Sequence, residues 1–137
     1  MSGNEEAMRL LDMAGKDFRA ATGMTDIKQF DDEVFGFHIE QAAEKALKAW
    51  LSLFEQQYPR THDLTLLLRL LTDCGQHCQQ HMPLVEFNAF AVQYRYEAYE
   101  GVDDLIDRPA ALKSVGTLLD EVRSLVEKSE REVRRSD

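Results

Sequence analysis

Three polar side chains form a narrow row at the edge of a wide apolar arc in the first third of the chain. His38, Gln41 and Lys45 follow one another at intervals of three and four residues, which places them in one row along a helix. An imidazole changes its charge near neutral pH and can transfer a proton. We therefore treat His38 as a candidate catalytic residue and Gln41 and Lys45 as candidate binding residues. The alternative is that His38 is a hydrogen-bonded residue at the edge of the core.

A second histidine lies beside an arginine at the predicted start of a helix. Arg60 and His62 flank Thr61, which is a good residue type for a helix N-cap. The pair places an imidazole next to a basic group, so His62 is a second catalytic candidate and Arg60 a binding candidate. The alternative is that His62 makes a local bond to the backbone at the helix start.

A third candidate site lies in a stretch rich in tyrosine, where Arg95 precedes Tyr96 and Tyr99. A guanidinium group grips a phosphate or carboxylate through two parallel hydrogen bonds. Arg95 is therefore a catalytic candidate, and the two tyrosines are candidate binding residues. The alternative is an Arg95 that bonds a nearby carboxylate, such as that of Glu97 or Glu100, with tyrosines that pack at an interface.

Four possible metal ligands fall within eight residues, namely Cys74, His77, Cys78 and His81. Zinc binds such thiolate and imidazole sets, but structural sites usually gather ligands from two separate pieces of chain. In a helix the first and last of these residues would lie ~10.5 Å apart along the axis, too far to share one ion. We expect a polar loop without a metal and keep a small zinc-stabilised binding module as an alternative.

Helical periodicity runs through the rest of the chain, and turn residues separate its segments. The widest apolar arc belongs to the segment from Phe35 to Leu53, which predicts a helix at the centre of a bundle. We predict five helices, over residues 4–21, 26–57, from Thr61 to a stop at Gly75, from Pro83 to about Gly101, and from Asp107 onward. The fold class is thus all-α, a compact up-and-down bundle in one domain over 1–137, with its core at 5–128 and a charged tail at 129–137 expected to fray.

Composition narrows the classes of function. The net charge of −9 argues against a protein that coats duplex DNA, because neutralising phosphates requires clustered Lys and Arg. No apolar run reaches the ~18 residues of a membrane span, and we expect neither a secretory leader nor a membrane partner. Two cysteines without a disulfide framework favour a reducing, cytoplasmic location. No glycine-rich phosphate loop is present, so no cofactor is predicted.

Two motifs resemble those of the HEPN domain family. The first is His-x-x-Gln-Ala-Ala-Glu-Lys-Ala-Leu-Lys-Ala over 38–49, and the second is Pro-Arg-Thr-His-Asp-Leu over 59–64. The resemblance covers roughly residues 5–128. It implies a homodimer, an association with nucleotide or RNA, and a minimal nucleotidyltransferase protein as the partner in a two-component, toxin–antitoxin-like system.

The chain departs from the family at the position that matters most for ribonuclease activity. Ribonuclease members carry Arg-x4-6-His late in the domain, where the Arg polarises the phosphate and the His acts as acid or base. Here Arg95 has the right context, but no histidine follows it at Glu100 to Asp103. The leading interpretation is a HEPN partner of a nucleotidyltransferase that lacks this motif. The alternative is a metal-independent RNase that uses Arg95 with His38 or His62 as a substitute.

Overall fold

The fold was analysed in a computed structural model that describes residues 3–91 and 106–136. In this part of the chain there are four α-helices, one 3₁₀ helix and no strand. They are α1 (Gly3–Thr22), α2 (Asp32–Leu53), α3 (Leu64–Asp73), the 3₁₀ helix (Gln79–Phe90) and α4 (Arg108–Ser136). The all-α, up-and-down bundle predicted from the sequence is confirmed.

The first long helix, α1, runs in the opposite direction to the two other long helices. At one end of the bundle Gly3 of α1 packs against the carbonyl of Ser52 near the end of α2. The same end of α1 meets the far part of α4, where Ser129 donates a hydrogen bond to Asn4. Towards the other end, the ring of Phe18 lies next to Gly116. α1 is therefore antiparallel to both α2 and α4.

The central position predicted for α2 is confirmed, since this helix contacts every other helix described. Its alanines at 42, 43, 46 and 49 are completely buried, and side chains this small let neighbouring helices approach closely. Trp50 is 1% exposed, and its indole N–H donates to the Gln76 side chain at 3.1 Å. Burial of the apolar face of α2 is the main driving force for the formation of the bundle.

One glycine in α2 is required by packing. A Cβ atom on Gly36 would lie 2.5 Å from the ring of Phe90, the last residue of the 3₁₀ helix. The missing side chain lets the aromatic ring lie directly on the helix backbone. Phe90 is 4% exposed, so this contact fixes the 3₁₀ helix to the first half of α2.

α2 begins at Asp32 and not at Asp26, as the periodicity had predicted. The reason is a buried arginine, Arg108, which donates to the carbonyl oxygens of Met24 at 2.8 Å and Phe30 at 2.6 Å and to the Asp32 carboxylate at 2.9 Å. Its guanidinium also lies 5.0 Å from the Phe35 ring centre. These two carbonyl oxygens do not accept hydrogen bonds within a helix, because they accept hydrogen bonds from Arg108 at the start of α4.

The end of α2 also differs from the prediction, because the helix stops at Leu53 instead of Gln57. Glu55 adopts a left-handed conformation with φ 57°, and the amide of Gln56 returns to the Leu51 carbonyl at 2.9 Å. This is the Schellman arrangement that closes many helices. The same arrangement ends α3, where Gly75 has φ 92°, so the predicted stop at Gly75 is confirmed.

The N-cap of α3 is Asp63, so the prediction of Thr61 was wrong. The Asp63 carboxylate accepts from the amide of Thr65 at 2.9 Å. Thr61 instead accepts from the amide of Asp63 at 3.0 Å. Both residues are polar and short, so composition could not separate an N-cap from the turn just before it.

The later part of the chain adds two further differences. The helix predicted from Pro83 starts earlier, at Gln79, and is of the 3₁₀ type with Pro83 inside it; its predicted end near Gly101 lies outside the described residues. α4 continues as a helix to Ser136, although the tail was expected to fray. Acidic residues at 127 and 130 precede arginines at 131 and 134 by four positions, a spacing that stabilises exposed helix.

Among the described helices, none combines the length and the apolar character needed to cross a membrane.

Candidate functional site

The candidate site is a polar stripe along α2, which we call the α2 stripe. Six side chains make it up, spread over an arc of about 160° of the helix circumference. They are His38, Glu40, Gln41, Glu44, Lys45 and Lys48. Between Phe35 and Leu51 the other residues of the helix are apolar or glycine, and all are buried, so the charges of the stripe need neighbouring side chains as partners.

The first cluster on the stripe joins α2 to α1 through one aspartate. Asp17 of α1 places Oδ1 3.0 Å from Nδ1 of His38 and Oδ2 2.6 Å from Nζ of Lys45. The three side chains are only 25%, 13% and 21% exposed for His38, Asp17 and Lys45. Both carboxylate oxygens are used, so this cluster is a partly buried clamp between two helices.

Gln41 points to its neighbour on the stripe and not to solvent. Its amide donates to Oε1 of Glu40 at 2.8 Å. This bond satisfies one oxygen of a carboxyl group that is completely buried. The binding role of Gln41 stays a prediction. The contact that the structure shows is a hydrogen bond that satisfies the buried Glu40 carboxyl group.

The second cluster joins α2 to the segment before α3. Glu44 accepts from Nδ1 of His62 at 2.8 Å through Oε1 and from Nζ of Lys48 at 3.0 Å through Oε2. The Glu44 side chain is 6% exposed, whereas that of His62 is 57% exposed. A buried carboxylate thus holds one nitrogen of an imidazole whose ring faces solvent.

The orientation of His62 has a chemical consequence. When Nδ1–H donates to a carboxylate, the neutral ring carries its free lone pair on Nε2. Arg60 is exposed nearby in the sequence, and it has no carboxylate within 4 Å among the described residues. This segment therefore offers solvent an oriented imidazole and a guanidinium group without an ion pair.

A neutral carboxyl group underlies this second cluster. Burial, together with the nearby Glu44 carboxylate, raises the pKa of Glu40 to about 9, against a smaller lowering effect of the Gln41 amide. Oε2 of Glu40 is buried and accepts no hydrogen bond. Protonation gives Glu40 an O–H donor, and the neighbouring Glu44 carboxylate is among the groups that favour this protonated form.

The cysteine and histidine side chains of the segment from Cys74 to His81 do not point to a common position. Cys78 is buried and its thiol donates to the Leu68 carbonyl at 3.4 Å, whereas Cys74 bonds the Leu71 carbonyl at 3.3 Å. His81 turns to Glu121 of α4 at 2.8 Å, and His77 is exposed. In the described part of the chain, no group of three or more such side chains is arranged to hold a metal ion. The zinc alternative therefore lacks structural support.

Comparison with known proteins gives the family. The family model for the HEPN domain matches residues 7–133, which include most of α1, all of α2, α3 and the 3₁₀ helix, and most of α4. The chain belongs to the HEPN domain family. No curated protein and no solved structure gives a significant match.

The HEPN resemblance pointed to Arg95 as the residue at the usual catalytic position. Arg95, Tyr96 and Tyr99 lie outside the described residues. The described residues on either side of them, Phe90 and Arg108, both contact the first part of α2. His62 meets α2 at Glu44, about two turns further along the helix from Gly36.

Three acidic side chains that hold the α2 stripe in place in this HEPN chain were not predicted from the sequence. Asp17 comes from another helix, and nothing in its local sequence indicates which side chain it will meet. Glu44 entered only as part of the family motif over 38–49, and Glu40 was not singled out. Acids at 40 and 44 with a lysine at 48 repeat every four residues on a largely apolar helix. That spacing was the available signal for a buried charge network.

Proposed function

We propose that this HEPN protein acts with a minimal nucleotidyltransferase partner in a two-component, toxin–antitoxin-like system and associates with nucleotide or RNA. The support for the partnership is the family match over residues 7–133, together with the two family motifs over 38–49 and 59–64. The absence of an Arg-x4-6-His spacing in the whole sequence favours a partner protein over the usual HEPN ribonuclease. A homodimer is part of the same proposal.

We place the nucleotide or RNA contact at His62. One observation carries this choice: the His62 ring is 57% exposed while Glu44 holds its Nδ1 at 2.8 Å. An exposed imidazole without such a partner would rotate freely, and a buried one could not reach a ligand. The unpaired Arg60 adds a group that binds phosphate oxygens bidentately.

His38 is the weaker of the two histidine candidates. Its ring is only 25% exposed, and the carboxylate that it meets is also bound to Lys45. Removing His38 from this network would leave Oδ1 of the partly buried Asp17 carboxylate without its hydrogen-bond partner, as expected for a structural pair. We therefore assign Lys45 and His38 to the stability of the α1–α2 contact.

A second candidate function is a metal-independent RNase, and the oriented His62 is the observation that favours it. Nε2 of His62 would accept the proton of a ribose 2′-hydroxyl as its oxygen attacks the adjacent phosphorus and the bond to the 5′-oxygen breaks. The leaving oxygen would take a proton from water or a second acid. Arg60 or Arg95 would stabilise the charge on the phosphate oxygens.

The partnership is tested by co-expression. The chain and the nucleotidyltransferase encoded beside its gene would be produced together, with a tag on one of them, and purified at physiological salt. We expect the two proteins to co-purify in a fixed ratio. A neighbouring nucleotidyltransferase that fails to bind, or no such neighbour, would contradict the proposal.

The site is tested with His62→Gln, because glutamine can still donate a hydrogen bond to Glu44. We expect binding of single-stranded RNA or nucleotide to weaken at least tenfold, and any RNA cleavage to be lost. His77→Gln is the matched control, since His77 is also an exposed histidine but has no oriented partner. Equal effects of the two substitutions would contradict a site at His62.

A further inference from the structure

A small pocket lies between the 3₁₀ helix and α4, and none of its lining residues belongs to the α2 stripe. We call it the His81 pocket. It encloses about 190 Å³, which is less than the roughly 300–1,000 Å³ of pockets that hold drug-sized ligands. The polar side chains of its lining are Gln80, His81, Lys113, Ser114 and Thr117. A pocket of this size and lining suits one small polar group.

His81 is the buried polar residue of this pocket. Its side chain is 2% exposed, and its ring meets Trp50 edge-on with the ring centres 5.9 Å apart. Nε2 of His81 lies 2.8 Å from Oε2 of Glu121 on α4. The Gln80 amide donates to both oxygens of the same carboxylate, at 3.1 Å and 3.0 Å. These contacts hold the imidazole in one orientation.

The bond to Glu121 decides which ring nitrogen is left for a ligand. A carboxylate accepts hydrogen bonds, so Nε2 carries the proton and the neutral ring has its free lone pair on Nδ1. Among the described residues, no hydrogen bond to Nδ1 of His81 is present, and Nδ1 is not one of the enclosed polar atoms that lack a partner. Since His81 lines the pocket and Glu121 does not, we infer that Nδ1 accepts hydrogen bonds from the pocket side.

The α4 side of the pocket supplies hydrogen-bond donors. Lys113 is exposed, and it has no carboxylate within 4 Å in the part of the chain that the structure describes. No acidic residue stands three or four positions from it along the helix. The Thr117 hydroxyl already donates to the Lys113 carbonyl at 2.9 Å, whereas that of Ser114 has no partner within residues 3–91 and 106–136. The ammonium group of Lys113 and the hydroxyl of Ser114 can therefore donate to a ligand.

The charge of the pocket differs from that of the whole chain. The chain has 25 acidic residues and a net charge of −9, and a larger groove between α1 and α4 contains Asp12, Glu127 and Glu130. The His81 pocket has a lysine and no acidic residue in its lining. Glu121 lies behind the imidazole, where Gln80 and His81 already bind its oxygens. The pocket therefore suits an anion.

We propose that the His81 pocket binds inorganic phosphate in its singly protonated form. The charged oxygens of this anion accept hydrogen bonds from Lys113 and Ser114, and its remaining hydroxyl donates to Nδ1 of His81. Sulfate has the same shape and charge but carries no proton, so it cannot make the bond to Nδ1. A phosphate monoester loses its last proton with a pKa of about 6, so at pH 8 it lacks this donor as well. The site is separate from His62, and it stands or falls independently of the function proposed above.

The experiment uses the single tryptophan of the chain. Because Trp50 contacts His81, its fluorescence reports on binding in the pocket. The whole chain would be titrated at pH 8 and constant ionic strength with sodium phosphate, sodium sulfate and glycerol 3-phosphate, with calorimetry as a second measurement. We expect saturable binding of phosphate with a dissociation constant of about 1 mM or below. Sulfate and the monoester should bind at least about tenfold more weakly, since each leaves Nδ1 without a donor.

Three substitutions test the contacts one at a time. Lys113→Met should weaken phosphate binding about tenfold and Ser114→Ala about threefold, because each removes one donor. Glu121→Gln leaves Nε2 a hydrogen-bond partner that can donate as well as accept, so Nδ1 can carry the proton and the preference for phosphate over sulfate should fall. Lys128→Met and Ser124→Ala change exposed residues of α4 outside the pocket and serve as matched controls. Circular dichroism would show that each variant is folded.

Four results would overturn the proposal. The first is phosphate binding that does not saturate, and the second is sulfate that binds the wild type as tightly as phosphate. The third is a monoester that binds more tightly than phosphate, which would assign the pocket to a nucleotide or a sugar phosphate. The fourth is a Lys128→Met variant that weakens binding as much as Lys113→Met, which would place the phosphate elsewhere on the surface.

Discussion

His38 and His62 make the same bond in two different settings. Each ring places Nδ1 on a carboxylate oxygen, at 3.0 Å from Asp17 and at 2.8 Å from Glu44. The His38 ring is 25% exposed and the His62 ring 57% exposed. The carboxylate of the first pair also binds Lys45 from the same helix, so the cluster clamps α1 to α2. The second pair leaves most of the imidazole available to a ligand.

The comparison shows that an imidazole–carboxylate bond does not by itself identify a site. Two properties separate a structural pair from a functional one. They are the exposure of the imidazole ring and the other bonds that the carboxylate makes. By these two measures we propose His62 as the functional candidate in the described part of the chain and His38 as a structural residue. The predictions below test this division, beginning with the largest expected effect on stability.

The largest effect is expected from Asp17→Ala, which removes the centre of the α1–α2 clamp. His38 and Lys45 would lose their shared partner in a site that is mostly shielded from water. We expect the free energy of unfolding to fall by about 2–3 kcal/mol, measured by urea denaturation, because charge-assisted bonds contribute more than neutral ones.

Asp12→Ala is the matched control, since Asp12 also lies on α1 but is 72% exposed, with Lys16 only at 3.9 Å. That change should cost less than about 0.5 kcal/mol. If both substitutions cost the same, the clamp contributes nothing beyond an ordinary surface pair.

A smaller effect, which depends on pH, is expected from Glu40→Gln. The pKa of Glu40 is raised from 4.5 to about 9 in the folded protein, so the folded chain binds more protons than the unfolded chain between these values. Its contribution to stability is complete below pH 4.5, is lost as the pH rises towards 9, and is constant above that. The slope is at most about 1.4 kcal/mol per pH unit for one proton.

Glutamine mimics the protonated carboxyl group and should remove this slope. Denaturation of the wild type and of Glu40→Gln at several pH values between 5 and 9 would therefore give curves that diverge, with the variant gaining relative stability as the pH rises. Glu86→Gln, which changes an exposed carboxylate, should follow the wild type. Parallel curves for the wild type and Glu40→Gln would show that Glu40 is ionised in the fold.

The smallest effect is expected from metal removal. The thiols of Cys74 and Cys78 bond separate carbonyl groups of α3, and His81 is engaged with Glu121. A strong chelator should leave the melting temperature unchanged, whereas a structural zinc would add several kcal/mol to folding. One zinc per chain by elemental analysis, with loss of helicity on chelation, would contradict this prediction.

The sequence predicted those parts of the molecule that depend on local periodicity. The central helix, its burial and the stop at Gly75 all follow from spacing and turn chemistry along a single segment. The start of α2 could not be predicted, because it depends on Arg108, which reaches the carbonyls of Met24 and Phe30 from a distant part of the chain. Asp17 was missed for the same reason.

The candidate site likewise has features that the sequence predicts and features that depend on the fold. The sequence identified candidate residues one segment at a time, and the family motifs pointed to the same segments. These candidates are His38, Gln41, Lys45 and His62. Which histidine is clamped and which is exposed depends on side chains that only folding brings together. Arg95, Tyr96 and Tyr99 lie outside the described residues, and their roles stay predictions.

The most direct test of the account is a proton NMR titration of the histidine rings with single-stranded RNA. The chain has four histidines, so four ring C2–H resonances can be assigned by single substitution and followed in one experiment. We predict that the resonance of His62 moves with saturable dependence on RNA, while that of His38 stays in place because its ring belongs to the α1–α2 clamp. An RNA complex in which His62 does not move, a shift confined to His38, or no binding at all would contradict the account.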